Sequence, residues 1–233
     1  MPARKLRLLC LHGHLQSGES FRVRTGSLRK ALKSRAELFY VDGPIQVEAA
    51  PGEGGAKADP DASPGEGGAK AGSDAVPTSP ALLPRSWWQV PLGRRPSMAA
   101  RLEGWDAARG AVERALREHA PIDGILGFSQ GAAVAALYGA KGASEDPAAP
   151  SPADETLQPA SPAPPPGAHA ITIPTLHVMG RTDEVIPLER SEALRARCLD
   201  GQALVHGGGH MVPTASGEVK KTLHAFLDRF NAE

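Results

Sequence analysis

The sequence is poor in cysteine, has no excess of either charge and contains no long apolar segment. Basic and acidic side chains each number 26 among 233 residues, so the charge balance indicates neither nucleic acid nor an anionic membrane surface as a partner. No apolar run approaches the roughly 20 residues of a membrane span, and the N-terminal region lacks a signal-peptide core. We therefore expect no stable membrane anchoring.

The two cysteines, Cys10 and Cys198, are too few for a disulfide framework, and Cys10 lies within a predicted buried strand. A reducing compartment is the simplest interpretation, which predicts a cytoplasmic protein, with the nucleus as the alternative. No spacing of cysteine and histidine is typical of a metal site, so no metal is expected. The length suits one large α/β domain or two small ones, and we predict a single domain over 1–233.

Strands and helices alternate along the chain outside two low-complexity regions. The run at 6–11 is almost continuously apolar, which is typical of a strand buried on both faces of a parallel sheet. Spacing and turn residues predict the other elements: helices at 25–33, 98–118, 132–140, 188–198 and 219–230, and strands at 37–41, 122–128, 171–179 and 202–205. The alternation predicts an α/β fold with a doubly wound, mostly parallel sheet.

Two regions lack the apolar periodicity of a packed element. Residues 49–80 contain a tandem repeat, PGEGGAKADPDAS at 51–63 and PGEGGAKAGSDAV at 64–76. Residues 142–169 are rich in proline, alanine and serine. Because neither composition buries enough apolar surface to offset the entropy of ordering, we predict a disordered insert and a disordered linker, with no chemistry in either.

The stretch at 122–139, IDGILGFSQGAAVAALYG, predicts a strand that turns sharply into a helix with Ser129 at the corner. Gly127 and Gly131 flank the turn, where a Cβ would collide. This pattern is typical of a nucleophile elbow, in which the backbone N–H of Gln130 faces the developing oxyanion. The alternative is an ordinary loop of glycine and serine.

The loop HGHLQSG at 12–18 follows the first predicted strand. Hydrolases with a nucleophile elbow draw their second oxyanion donor, a backbone N–H, from a loop in this position. We predict the N–H of His14 as that donor, with Leu15 as the next candidate. The alternative is a plain turn between a strand and a helix.

The remaining members of a catalytic triad are expected near the end of the chain. Asp183 follows a late predicted strand, where a triad acid belongs, although an Asx-turn aspartate is the alternative. His210 follows three glycines that let a histidine reach the nucleophile, whereas His206 is its rival at the strand end. The order Ser129, Asp183, His210 is that of α/β-hydrolases.

The paired Trp87 and Trp88 are candidates for the wall of an apolar substrate pocket. An equally acceptable interpretation is that they anchor the end of the repeat-containing insert to the core. Leu15 and Met211, which lie next to the predicted oxyanion donor and the predicted base, are further pocket candidates.

Five segments together resemble the FSH serine-hydrolase family: LLCLHGHLQSGESF, PRSWW, IDGILGFSQGAA, PTLHVMGRTDEVIP and HGGGHMVP. The resemblance implies an α/β-hydrolase that acts as a carboxylesterase on small acyl esters, some with longer alkyl chains, without a cofactor. It also implies that Ser129, Asp183 and His210 form the triad. A thioesterase of the same mechanism and a catalytically impaired, hydrolase-like binding protein are the alternatives.

The chain departs from this family between the nucleophile helix and the acid strand. The family has a further strand there, whereas this sequence has the proline-rich linker. We therefore predict one parallel strand fewer, with residues 176–179 pairing directly with 122–128, because a gap would leave backbone groups unpaired on two strand edges.

Overall fold

The computed structural model describes residues 4–47, 80–89, 104–140 and 171–231. Its helices are α1 (Gly18–Arg24), α2 (Gly26–Leu32), α3 (Trp105–Glu118), α4 (Gln130–Ala140), α5 (Leu188–Arg195) and α6 (Gly217–Asp228). Its strands are β1 (Leu6–Leu11), β2 (Ala36–Val41), β3 (Ile45–Gln46), β4 (Arg85–Ser86), β5 (Gly124–Gly127), β6 (Thr175–Gly180) and β7 (Gly201–His206). A short 3₁₀ turn occupies Pro80–Leu82. The predicted disorder at 49–80 and 142–169 falls outside the described residues, apart from residue 80.

The first sheet has the strand order β2-β1-β5, and both of its strand pairs are parallel. Its central strand carries the predicted apolar run, and Leu9, Cys10 and Leu11 are fully buried. Helices pack on both faces of a strand of this kind, which is why both of its sides are apolar. The prediction of an α/β fold with a mostly parallel sheet is confirmed.

Two apolar clusters cover the opposite faces of this sheet. One cluster joins β1 to the segment with the paired tryptophans, to α3 and to α4. Its buried members are Leu9, Leu11, Trp87, Trp88, Ala108, Ala111, Val112, Ala115 and Val134. The other joins β1 and β2 to α2 and α6, and its buried members are Leu6, Leu8, Leu28, Leu32, Ala36, Ala215 and Leu227. Each fully buried leucine contributes about 1.5–3 kcal/mol relative to an exposed one.

A second, separate parallel sheet contains β6 and β7. The predicted direct pairing of residues 176–179 with 122–128 is wrong, because within the described residues no ladder joins β5 to β6. The strand β6 instead pairs with β7 along its whole length, from Thr175 opposite Gly201 to Gly180 opposite His206. Apolar packing makes the connection to α4: Ile171 lies in one buried cluster with Ala140 and Cys198.

Several short elements were not predicted. The helix α1 begins after Ser17, whose side chain accepts from the N–H of Ser20 while the Ser20 hydroxyl lies close to the N–H of Ser17. The strands β3 and β4 form a two-residue antiparallel pair, with Ile45 opposite Ser86.

In the part of the chain that is described, no helix has the length and apolar character needed to cross a membrane.

Candidate active site

Ser129 lies in the sharp turn between β5 and α4, and its φ angle of +52° is in the left-handed region. Such a conformation costs a non-glycine residue on the order of 1–3 kcal/mol. The flanking glycines allow it, since a Cβ on Gly127 would collide with the carbonyl of Gly131. A Cβ on Gly131 would in turn collide with the carbonyl of Leu11 in β1. The turn therefore has the geometry expected of a nucleophile elbow.

The predicted triad side chains form a continuous hydrogen-bonded chain. Nε2 of His210 lies 2.9 Å from Oγ of Ser129. Nδ1 of His210 lies 2.8 Å from Oδ2 of Asp183. Because a carboxylate only accepts, Nδ1 carries the proton and Nε2 is free to accept from the serine hydroxyl.

Asp183 is fixed by the loop that follows β6. Its Oδ1 accepts from the backbone N–H groups of Val185 and Ile186, at 2.9 and 2.8 Å. Its side chain is 10% exposed. The aspartate therefore makes the Asx-turn contacts that were the alternative prediction and also leaves Oδ2 for His210, so the two interpretations are compatible.

His210 reaches Ser129 from the loop after β7. Gly180 lets this loop pass close to β6, because a Cβ there would collide with the carbonyls of Gly208 and Gly209. The imidazole packs on Phe128, with ring centroids 5.0 Å apart. The rival His206 accepts from the N–H of Gly208 at 3.1 Å instead, and burial lowers its pKa.

The loop after β1 lies directly against the nucleophile. A Cβ on Gly13 would lie 3.3 Å from Cβ of Ser129. Among the described residues, no backbone–backbone hydrogen bond outside the helices and strands uses the N–H of His14 or of Gln130. Leu15 follows with a φ of +59°, which reverses the chain at this point.

His12 anchors this loop, and its role was not predicted. The ring is fully buried, with Nδ1 2.7 Å from the carbonyl of Gly13 and Nε2 accepting from the N–H of Gly43 at 2.8 Å. Burial lowers the pKa of His12. The ring is therefore held in the neutral form with the proton on Nδ1, which ties the loop to the turn after β2.

The two tryptophans do not lie on an open pocket wall. Trp87 is 0% and Trp88 is 2% exposed, and the indole N–H of Trp87 donates to the carbonyl of His12 at 2.9 Å. The pocket interpretation of Trp87 and Trp88 is corrected accordingly, and their anchoring role, the alternative, agrees with the structure. Leu15 is 51% exposed and Met211 is half-buried, so both side chains remain accessible.

Neither cysteine is accessible to a substrate, although Sγ of Cys198 lies 3.4 Å from Nε2 of His177. Both are buried and free, and burial raises the pKa of Cys10 to about 12. Among the described residues, no group of three or more histidine, cysteine, aspartate or glutamate side chains is placed to hold a metal ion. The hydrogen-bonded chain that ends at Ser129 is thus the arrangement best suited to chemistry in the described residues.

Curated proteins named as esterases are similar to this chain over most of its length. The chain is 38% identical over 247 residues to Esterase OVCA2 of Homo sapiens, which covers 97% of both chains. It is 39% identical over 240 residues to Esterase OVCA2 of Mus musculus, which covers 99% of both. It is 32% identical to Esterase CG5412 of Drosophila melanogaster over 97% of this chain and 75% of that one.

Solved structures support the fold. Esterase PE8 superposes with a TM-score of 0.56 at 20% identity, covering 97% of this chain and 93% of that one. SOBER1 of Arabidopsis thaliana superposes with a TM-score of 0.51 at 16% identity, covering 97% and 99%. The family described as serine hydrolase (FSH1) matches residues 1–222 of this chain. The chain therefore belongs to the FSH1 family of serine hydrolases.

Proposed function

We propose that this protein is a serine carboxylesterase that hydrolyses small acyl esters, including those with longer alkyl chains, through an acyl-enzyme on Ser129. The observation that carries the proposal is the chain of hydrogen bonds from Ser129 through His210 to Asp183. Homology supports the same bond class, since relatives that cover nearly the whole chain are named esterases.

The geometry suits the steps of acyl transfer. His210 takes the hydroxyl proton at Nε2 as Ser129 attacks the ester carbonyl, and the N–H groups of Gln130 and His14 hold the resulting oxyanion. The imidazolium returns its proton to the leaving alcohol, so the ester C–O bond breaks and the acyl-serine remains. Asp183 stabilises the imidazolium and fixes its tautomer. Water then repeats the sequence and releases the carboxylic acid.

The apolar surface near Ser129 supports an acyl substrate. Leu15 is exposed and Met211 half-exposed on the two loops that meet at the nucleophile. We assign both to binding of the acyl or alkyl chain. Because both side chains are apolar, an ester with an apolar acyl or alkyl chain is the substrate class that they favour.

The first experiment uses a fluorophosphonate probe, which labels an activated serine. Labelling of the full chain, and its loss in Ser129→Ala with an unchanged circular dichroism spectrum, is the expected outcome. Equal labelling of the variant would exclude Ser129 as the nucleophile. Absence of both labelling and hydrolysis in the folded wild type would favour the alternative of a hydrolase-like binding protein.

The second experiment separates an esterase from a thioesterase, which use the same residues. One series of acyl chains is prepared as matched oxygen esters and thioesters, and kcat/KM is measured for each pair. We expect the oxygen esters to be preferred. A preference for thioesters at every chain length would replace the esterase proposal with the thioesterase.

A further inference from the structure

The segment around Trp87 contains a buried hydroxyl that connects the two proposed oxyanion donors. Ser86 is 1% exposed and lies in β4, below the nucleophile elbow. Its Oγ is 3.0 Å from Oε1 of Gln130 and 3.1 Å from Nδ1 of His14. One side-chain atom therefore contacts both residues whose backbone N–H groups face the oxyanion in the proposed mechanism.

The donors and acceptors in this network can be assigned apart from one choice, the acceptor of the Ser86 hydroxyl. Oε1 of Gln130 also accepts from the backbone N–H of Trp87 at 2.9 Å, which fixes the orientation of the amide. Burial lowers the pKa of His14, so its ring is neutral, and Nδ1–H donates to Oγ of Ser86. The single hydroxyl hydrogen of Ser86 then points to Gln130 or to the carbonyl of Trp88, 2.5 Å away.

The segment itself is held firmly in place. The N–H of Arg85 donates to the carbonyl of Gln16 at 2.9 Å, and Ser17 donates to the carbonyl of Ala81 at 2.7 Å. The indole of Trp87 is bonded to the carbonyl of His12. Ser86 therefore projects from a rigid support rather than from a mobile loop.

We infer that Ser86 is a positioning residue that sets the separation and direction of the oxyanion donors on His14 and Gln130. The hydrogen bonds of its Oγ in the described residues go to His14, Gln130 and Trp88, so Ser86 acts through the side chains of His14 and Gln130. The inference rests on the proposed function, because it concerns the oxyanion that forms during acyl transfer. An oxyanion donor displaced by a fraction of an ångström loses much of its effect on the transition state while substrate binding is little changed.

The test compares Ser86→Ala with Thr25→Val as a matched control. Thr25 is also a buried hydroxyl, bonded to the carbonyl of Phe21 and to Tyr40, each at 2.7 Å, but it does not contact the site. Ser86→Ala should lower kcat roughly 10- to 100-fold, less than the loss from deleting a donor itself, with KM changed less than about threefold. Thr25→Val should lower the melting temperature without lowering kcat.

A trifluoromethyl ketone gives a readout that general loosening of the fold does not imitate. It forms a tetrahedral adduct with an oxyanion, so its inhibition constant should rise in Ser86→Ala by about the same factor as kcat/KM falls. The non-fluorinated ketone should bind both proteins equally. Ser86→Thr, which keeps the hydroxyl, should recover most of the lost kcat.

A double-mutant cycle tests the route through Gln130. The change Gln130→Met removes the amide but leaves the backbone N–H, so in this background Ser86→Ala should lose the part of its effect that acts through Gln130 and keep only the part that acts through His14. Additive effects, or an unchanged inhibition constant in folded Ser86→Ala, overturn the inference. If the inference fails in this way, ester hydrolysis by the wild type that is lost in Ser129→Ala would still support the proposed function. Failure of the inference and failure of the proposed function are therefore distinguishable.

Discussion

The side chains of Ser129, His210 and Asp183 come from distant parts of the sequence and form one hydrogen-bonded chain. Their removal should have graded effects. Ser129→Ala and His210→Ala are each expected to lower kcat by roughly four to six orders of magnitude, because nucleophile and base act as a unit. Asp183→Asn should lower it roughly 10⁴-fold, since the imidazole loses the group that fixes its tautomer. Steady-state kinetics with circular dichroism on each folded variant provides the measurement.

The matched control for the aspartate is Asp200→Asn. Asp200 is a carboxylate near the surface that pairs with Arg229, and its loss should leave the rate unchanged. If Asp183→Asn were close to wild type, Asp200 would replace Asp183 as the proposed acid only if Asp200→Asn lowered the rate, and otherwise Glu184 would be the next candidate.

The pH dependence of hydrolysis gives an independent check on the base. A general-base histidine must be neutral, so kcat/KM should rise with pH between about 5 and 8. The rate with a slow substrate, for which chemistry is limiting, is measured against Ser129→Ala as background. A flat profile across this range contradicts a histidine base.

Sequence motifs identified the residues that carry chemistry better than the residues that support them. The three triad side chains were predicted from motif and order, and the structure brings them within hydrogen-bond distance, although their catalytic roles stay predictions. His12 and Ser86 were missed as functional supports. A buried polar side chain is explained by its tertiary neighbours, and those neighbours are not visible in a linear pattern.

At the scale of single elements, agreement followed the strength of the local pattern. The strand β1 and the turn from β5 into α4 have strong apolar and glycine signals, and both were predicted within a few residues. The helix α1 was missed because its start is encoded by a serine capping box rather than by an apolar stripe. The pair β3 and β4 was missed because two-residue strands show no alternation.

Deletion of residues 51–76 is expected to leave stability and activity nearly unchanged. The sequence of the repeat offers no apolar face to a core, and shortening a connection costs little. The pairing of Ile45 with Ser86 continues to hold the two sides of the shortened connection together. Thermal melting and kcat/KM of the deletion variant are the measurements. A large fall in melting temperature would show that the repeat packs against the fold.

For the whole molecule, stability should decrease on acidification. Burial lowers the pKa of four histidines, His12, His14, His177 and His206, below their usual value of 6.5. The unfolded chain therefore binds protons below about pH 6.5 that the folded chain resists, so the free energy of unfolding falls as pH drops through this range. Each fully shifted group contributes at most about 1.4 kcal/mol per pH unit.

Urea unfolding between pH 7.5 and 5.5 measures this decline. His206→Asn, at a partly exposed position, should make the decline shallower without preventing folding. Stability that is constant or rises on acidification would contradict the assignment of these rings as buried and neutral.

That no ladder joins β5 to β6 within the described residues could not be predicted, because strand pairing depends on partners far apart in sequence. The family resemblance indicated a lost strand, but the choice between direct pairing and two sheets depended on tertiary packing. In the described part of the chain β6 pairs with β7, and Ile171 packs with Ala140 and Cys198, so the described strands lie in separate sheets. Local periodicity contains no information on that choice.

The division into two sheets has a consequence for inactivation. Ser129 follows a strand of one sheet, whereas Asp183 and His210 follow strands of the other. Among the described residues, side-chain packing and the bond between His210 and Ser129 connect the two sheets, and we expect such contacts to be lost before the backbone ladders. Ester hydrolysis should therefore disappear at urea concentrations that leave the circular dichroism unchanged and return on dilution. The enzymatic rate would then report early separation of the two sheets. An inhibitor that bonds Ser129 and contacts His210 would cross-link the sheets and delay that separation.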